Sequence, residues 1–331
     1  MTTTPDVVLL VTHSEDYYNV DRVASALQRR GAHPVRFNTD QYPSVTGIST
    51  SVSGSALDHR LYLGDEEMSS SSVRAVWNRR IAAPRLGDEL DDDFRKYCVR
   101  ESIAALNGFW DGLRNARWVN HHYANYIAED KIRQLRVAHA VGLSLPRTLI
   151  SNRPAEVREF FYSVESRMVA KLLRPLSQSM GKAPVFVRTS IVGESDLEGL
   201  ESLRFCPMVF QENIPKAREL RICMVGDKAF VGALDASQSR EGTTDWRMAE
   251  PGDVSWKNDT VPDDVLSKLR SLMKSLDLTN GAVDMIHTPD GEHVFLEINP
   301  AGEWGMLERD LNLPISEAIA DALLIEGDQN A

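Results

Sequence analysis

The stretch that most constrains this chain is residues 283–300, Val-Asp-Met-Ile-His-Thr-Pro-Asp-Gly-Glu-His-Val-Phe-Leu-Glu-Ile-Asn-Pro. Two β-prone runs flank Asp290-Gly291, a dipeptide suited to a type I′ hairpin because both central residues of that turn need positive φ. With those two residues as the loop, Asp284 faces Glu297, and Asn299 lies two positions along on the same face. Facing carboxylates repel in a bare sheet. A divalent cation between them turns the same oxygens into ligands, and Mg²⁺ favours a few carboxylates together with phosphate oxygens. Val283, Met285, Val294, Leu296 and Ile298 alternate onto the opposite face and are expected to be core. The plainer alternative is an amphipathic hairpin with a solvated acidic face.

A chain of 331 residues exceeds the usual size of one hydrophobic core, so two or three subdomains are expected. A net charge of −11 argues against nucleic acid as the main partner, since phosphate binding needs a basic surface. An acidic substrate would need a local basic pocket. Cys98, Cys206 and Cys223 are too few and too scattered for a disulfide framework or a zinc site. No run approaches the ~20 apolar residues that span a bilayer. The first residues, Met-Thr-Thr-Thr-Pro-Asp, lack a basic n-region and an apolar h-region, so a cytoplasmic protein is expected.

In order along the chain, residues 7–11 are a buried parallel-type strand, 19–30 a helix stopped by Gly31, and 34–38 a second strand. The βαβ unit lacks the Gly-x-Gly-x-x-Gly of a dinucleotide site. Residues 44–77 carry shorter strands and a serine-rich loop at 69–72. The run Val73-Arg74-Ala75-Val76-Trp77-Asn78 delivers Arg79 and Arg80 to a strand's C-terminal end, where open α/β sheets bind ligands; solvated surface is the alternative. Residues 89–116 look helical, 120–125 a polar loop, and Asp130-Lys131 opens a helix closed by Gly142. A helix follows Pro154. Lys171 ends a short apolar strand, either as a ligand group or as a snorkelling surface lysine. Residues 176–182 form a small-residue loop and 185–189 a strand. A loop of this kind beside a lysine can fold N–H groups over phosphates. Residues 208–212 are a strand, and 219–234 a hairpin turning at Gly226-Asp227 with Glu219, Arg221 and Cys223 on one face. Residues 237–260 are a long polar loop, 262–276 a helix, 301–304 a loop, and 314–324 a final amphipathic helix.

The order of strand lysine, small loop, Gln211-Glu212-Asn213-Ile214, Glu219-Leu220-Arg221-Ile222, Asp284 and Glu297-Ile298-Asn299-Pro300 resembles the ATP-grasp superfamily from about residue 120 onward. Three further stretches, 76–80, 205–217 and Asp245-Trp246-Arg247, resemble the ligases that cross-link graspetides, the microviridin-type ribosomal peptides, and extend the likeness over nearly the whole chain. The phosphate loop is poorer in glycine than in many ATP-grasp relatives.

The resemblance implies an α/β (α+β) ATP-grasp fold of three subdomains: an N-terminal open α/β domain, 1–118, a central domain, 119–204, and a C-terminal domain with the metal site, 205–331. The nucleotide would lie between the last two. Lys131 and Lys171 would contact the ATP phosphates. Gln211, Glu212, Asn213 and Ile214 would line the adenine pocket, and Glu219 would hold the ribose. Asp284, Glu297 and Asn299 would hold Mg²⁺, with Arg221 and Arg247 on the γ-phosphate and acyl-phosphate. The implied activity activates Asp or Glu side chains of a precursor peptide as acyl-phosphates and joins them to Ser or Thr hydroxyls (ω-ester) or Lys amines (ω-amide). The implied partners are a precursor with a leader and an acidic, Thr-rich core, and a second copy in a homodimer. Arg174, Lys182 and Arg188, together with Arg79 and Arg80, are candidates for peptide contact. No membrane or nucleic-acid partner is expected. Asp235 and Glu303 are candidate bases for a hydroxyl nucleophile. The alternatives are a RimK-type ligase adding amino acids to a protein or small molecule, and a non-catalytic nucleotide-binding regulator.

Overall fold

The computed structural model describes residues 7–174, 189–235 and 255–325. Strand β1 (Val7–Thr12), helix α1 (Tyr18–Arg29) and β2 (His33–Asn38) open the chain as a βαβ unit with parallel strands. An antiparallel three-stranded insert follows: β3 (Thr46–Ser53), β4 (Ala56–Leu63) and β5 (Glu66–Ser69). The chain then returns to the first sheet with β6 (Val73–Asn78), crosses over through α2 (Asp92–Gly112), and adds β7 (Arg117–Val119). The result is a parallel sheet of order β2-β1-β6-β7. β1 is buried along its whole length, as a central parallel strand covered on both faces must be.

Residues 120–125, expected as a loop, enter helix α3 (His122–Ala128). Its polar residues misled the sequence reading: Asn125 and His122 are buried, and Asn120 accepts the backbone N–H groups of Thr279 and Asn280 at 2.7 and 2.8 Å. Helix α4 (Lys131–Ala140) begins where Asp130 caps it, its carboxylate accepting the Arg133 N–H at 2.9 Å. A second, antiparallel sheet follows from β8 (Thr148–Ser151), helix α5 (Pro154–Ser163), β9 (Met168–Lys171) and β10 (Ser190–Val192). A 3₁₀ stretch, Glu194–Phe205, leads to β11 (Met208–Glu212), and the order is β10-β9-β11-β8. β11 thus lies in the central sheet, which a boundary at 204/205 divides. A small core of Val157, Phe161, Leu197, Leu200 and Phe210 backs this lobe.

The third sheet, of order β14-β13-β12-β15-β16, is antiparallel: β12 (Arg218–Val225), β13 (Lys228–Leu234), β14 (Lys257–Asn258), β15 (Asn280–His287) and β16 (His293–Asn299). β14 falls where the sequence suggested only loop. Helix α6 (Asp263–Ser275) precedes the β15–β16 hairpin, and α7 (Gly305–Leu311) and α8 (Ile315–Leu324) follow it. α4 and α6 cover one face of this sheet over a core that includes Leu220, Ile222, Met285, Phe295 and Ile298. α4 therefore packs with the C-terminal sheet, although it precedes the central one in sequence. On the other face, Cys223 and Val225 share a core with Val8, Leu10, Trp77, Trp304, Leu307 and Ile319. The first and last thirds of the chain are joined by common burial.

Candidate active site

The β15–β16 hairpin carries the facing carboxylates, but not by the expected turn. Thr288 and Glu292 close the loop, with the Thr288 N–H donating to the Glu292 carbonyl at 2.9 Å, so three residues reverse the chain: Pro289, Asp290 and Gly291. Of these only Gly291 has positive φ, at +94°. Pro289 suits the first position of a type I turn, and a glycine after such a turn is the usual three-residue solution. That loop pairs Met285 with Phe295, and a regular ladder would then set Asp284 against Leu296. Leu296 instead bulges out of the register, and Asp284 faces Glu297 after all. The bulge also corrects the core assignment: Phe295 joins the core with Met285 and Ile298, Val294 is buried as expected, and Leu296 is only half-buried.

Next to this pair, β12 sets Arg221 opposite Asp284, and the guanidinium donates to Asp284 Oδ1 at 2.7 Å. Both residues are buried. Two more guanidinium N–H groups donate to the Glu303 carbonyl at 2.8 and 3.1 Å. The first turn of α4 brings Lys131 over β16, where Nζ donates to Glu297 Oε2 at 2.6 Å. Gln134, one turn on, grips the same strand: its Nε2 donates to the Ile298 carbonyl and its Oε1 accepts the Ile298 N–H. The Asn299 amide reaches Asp284 Oδ2 at 3.3 Å and Glu297 Oε1 at 3.2 Å. Burial alone would raise the Glu297 pKa. The charges of Lys131 and Lys171 and the Asn299 hydrogen bond outweigh it and hold the carboxyl far below its ordinary range.

On the central sheet, Lys171 at the end of β9 donates to Gln211 Oε1 at 2.8 Å, and Gln211 Nε2 donates to Thr148 Oγ1 at 3.0 Å. Gln211 is therefore a buried bracket for the lysine. The N–H groups of Glu212 and Asn213 are committed to the carbonyls of Arg147 and Arg167 at 2.9 and 2.8 Å. Lys216 is ion-paired with Glu219.

From the N-terminal sheet, Arg79 enters the same region. It is 2% exposed, not solvated surface. Its guanidinium donates to the Ala301 carbonyl and to Glu303 Oε2, each at 2.7 Å, and lies 3.4 Å from Asp16 Oδ2. Arg80 is more open and reaches the Ala301 carbonyl at 3.3 Å. Glu303 also accepts from Asn19 Nδ2 at 2.5 Å and the Gly305 N–H at 3.0 Å. Burial raises the Glu303 pKa, but Arg79 and these donors bring it below the ordinary value. Its oxygens are occupied, which weighs against a role as a free base.

Residues 7–125 match the family model described as the MvdD pre-ATP grasp domain. The chain also superposes on macrocyclase MdnB from Microcystis aeruginosa MRC, with 47% identity, 97% of this chain and 100% of that one covered, and a TM-score of 0.84. The chain belongs to the ATP-grasp macrocyclase family. A Chryseobacterium gregarium RiPP-associated ATP-grasp ligase, solved with ADP and a leader and core peptide, is 30% identical over 96% of each chain, with a TM-score of 0.88. A probable alpha-L-glutamate ligase 2 from Shewanella frigidimarina (strain NCIMB 400) is 26% identical over 195 residues, 58% of this chain. That match spans 62% of the glutamate ligase's length.

For this macrocyclase relative, the structure brings together Lys131, Lys171, Arg221, Asp284, Glu297 and Asn299, with Gln211 and Glu219 on adjoining strands. Lys182, Arg188 and Arg247 lie outside the described residues. Sequence reasoning passed over Gln134, Lys216 and Asn120. The first sits three residues after Lys131, one helical turn along the same face, and this spacing could have flagged it. Lys216 is three residues before Glu219. Asn120 donates to nearby Asn125, but the N–H groups it accepts lie about 160 residues away in sequence, beyond any local window. Among the described residues, no helix is long and apolar enough to cross a membrane.

Proposed function

We propose that this chain uses ATP and Mg²⁺ to activate Asp or Glu side chains of a ribosomal precursor peptide and joins them to Ser or Thr hydroxyls or to Lys amines. The observation that carries this reading is the pair of buried Asp284 and half-buried Glu297, aligned across a sheet and ringed by Arg221, Lys131 and Asn299. Two carboxylates and an amide within hydrogen-bond reach of one another form an oxygen-rich donor set suited to Mg²⁺. The side-chain amide of Asn299 presents its oxygen on rotation, an assignment hydrogen-bond geometry leaves open. When bound, ATP supplies the phosphoryl group that makes a peptide carboxylate electrophilic, and Mg²⁺ neutralises phosphate charge.

The chain's own groups supply position and charge. Glu297 is ionised at neutral pH and needs no proton loss before it ligates. Lys131 is held by that carboxylate and Lys171 by Gln211, so two cations are preorganised rather than recruited. Arg221 is locked by Asp284 and the Glu303 carbonyl, with its charge at the strand face where an anionic group would be held. Arg247 is proposed to assist it, and Glu219 to hold the ribose. The nucleophile belongs to the peptide. A homodimer is part of this reading, supported by the resemblance.

The partners of such relatives support a peptide substrate, since the ligase from Chryseobacterium gregarium was solved with a leader and a core peptide. The partial match to a glutamate ligase favours the second reading, addition of amino acids. Incubation with ATP, Mg²⁺ and a synthetic peptide bearing Thr, Lys and Glu, followed by mass spectrometry, separates the two. Release of ADP with loss of one water per ring supports the macrocyclase. Gain of amino-acid residues supports the alternative, and ADP release absent with every peptide overturns both.

A further inference from the structure

Helix α4 presents two different faces. Lys131, Gln134 and Ala138 turn toward β16 and the core. Arg133 and Arg136 turn elsewhere, and with Tyr126, Ile127, Ile132 and Arg174 they line a cleft of about 420 Å³. Arg174 lies three residues beyond Lys171, and Arg133 two beyond Lys131, so the cleft opens beside the nucleotide lysines and not among them. The Arg174 guanidinium stacks on the Tyr126 ring, 5.3 Å from its centroid. Among the described residues, no carboxylate forms an ion pair with Arg133, Arg136 or Arg174. The buried Arg133 Nε has no hydrogen-bond partner. Asp130 lines the cleft too, with its carboxylate turned to the Arg133 N–H as the cap of α4. Glu129 is an acidic group whose charge reaches Arg174 without an ion pair between them.

Three guanidiniums without ion pairs in one concavity run against a chain whose net charge is −11. A planar guanidinium pairs with carboxylates through two parallel hydrogen bonds, and an aromatic ring beneath it holds its plane. Tyr126, Ile127 and Ile132 give the same cleft an apolar rim that suits the methylenes of acidic side chains.

We propose that this cleft is a docking pocket for a carboxylate-rich peptide segment, separate from the metal and nucleotide groups. The inference rests on the ligase reading and extends it: an acidic stretch held here stays at high effective concentration while one carboxylate is processed at the metal. The two arginines of α4 act with Arg174 in this role. A nucleic acid is disfavoured by the chain's overall charge.

The test is fluorescence anisotropy of a fluorescein-labelled oligoglutamate peptide, with oligoglutamine of equal length as control, and ADP affinity by calorimetry on the same samples. The full chain is expected to bind oligoglutamate and not oligoglutamine, more weakly as salt rises. The double variant Arg136→Glu with Arg174→Glu is expected to lose at least about tenfold in peptide affinity, about 1.4 kcal/mol, with ADP affinity unchanged. Arg174→Gln, which keeps the shape, is expected to lose several-fold. Unchanged peptide affinity in both variants overturns the pocket. So does a parallel fall in ADP affinity, which would make the cleft part of the nucleotide site. Displacement of the peptide by equimolar inorganic phosphate would show a free-anion site and also overturns it. If the pocket fails while ADP still binds and peptides still lose water, the ligase reading stands. Failure to bind ADP sinks that reading itself.

Discussion

Replacing Arg79 by Met tests whether the N-terminal domain helps to build the metal-side loop. Arg79 is 2% exposed and links Asp16 of its own domain to Ala301 and Glu303, only a few residues past Asn299. Burial, and then the neighbouring Arg80, push its pKa down, while Asp16 and Glu303 oppose them, so its charge is held by partners. Removing one member of a buried ion pair costs about 3–5 kcal/mol because the other charge is left uncompensated. The Glu303 side chain is 47% exposed, so water replaces part of what is lost there. Met also keeps most of the packing of the arginine stem. The expected loss therefore falls just below that range, at about 2–3 kcal/mol. Urea unfolding with linear extrapolation measures it. The Glu303 carbonyl also receives two Arg221 hydrogen bonds, so the variant should turn over about tenfold more slowly, about 1.4 kcal/mol in the barrier, while binding ADP normally. A double-mutant cycle with Glu303→Gln should show about 1–3 kcal/mol of coupling. A loss under about 1 kcal/mol with unchanged turnover would refute the reasoning.

Two further predictions follow from buried titratable groups. Among the described residues, neither buried ring nitrogen of His122 has a hydrogen-bond partner, and burial, then His121, lowers its pKa to about 4. The unfolded chain then binds the extra proton from the ordinary histidine value of about 6.5 down to 4, so stability should fall as pH drops through that window. His122→Phe should flatten this part of the pH–stability curve and add about 1 kcal/mol at neutral pH by removing unpaired polar atoms; an unchanged slope would reject it. Cys223 is fully buried and pushed up to about 12 by burial, against an opposing effect of Arg221, whereas Cys206 is exposed. Iodoacetamide should modify Cys206 in the native protein and reach Cys223 only on unfolding, as peptide mapping would show.

Much of the site was legible because its chemistry lies in short local patterns. Asp284, Glu297 and Asn299 sit on one hairpin, and Glu219 and Arg221 on one strand, so period-two alternation placed them. The hairpin reached the expected pairing by an unexpected route. A three-residue loop and a bulge at Leu296 together have the same effect on Asp284 as a two-residue loop, and strand periodicity cannot see compensating shifts. The cost was Phe295, missed as core. Helix α7 was not foreseen, and α3 was hidden by polar residues that tertiary packing buries, His122 and Asn125, the latter donating to the Asn78 carbonyl 47 residues back. The placement of α4 on the C-terminal sheet depends on Val137 and Ala138 meeting α6 and β16, a tertiary choice that no local window contains.

Manganese offers the most direct measurement of the central claim. Electron paramagnetic resonance can count Mn²⁺ bound to the chain with ADP, and compare it with the shape-conserving double variant Asp284→Asn, Glu297→Gln. The paired carboxylates predict that the variant loses at least about a hundredfold in metal affinity, about 2.8 kcal/mol, while its melting temperature shows it still folded. Equal Mn²⁺ affinity in the two proteins would contradict the account.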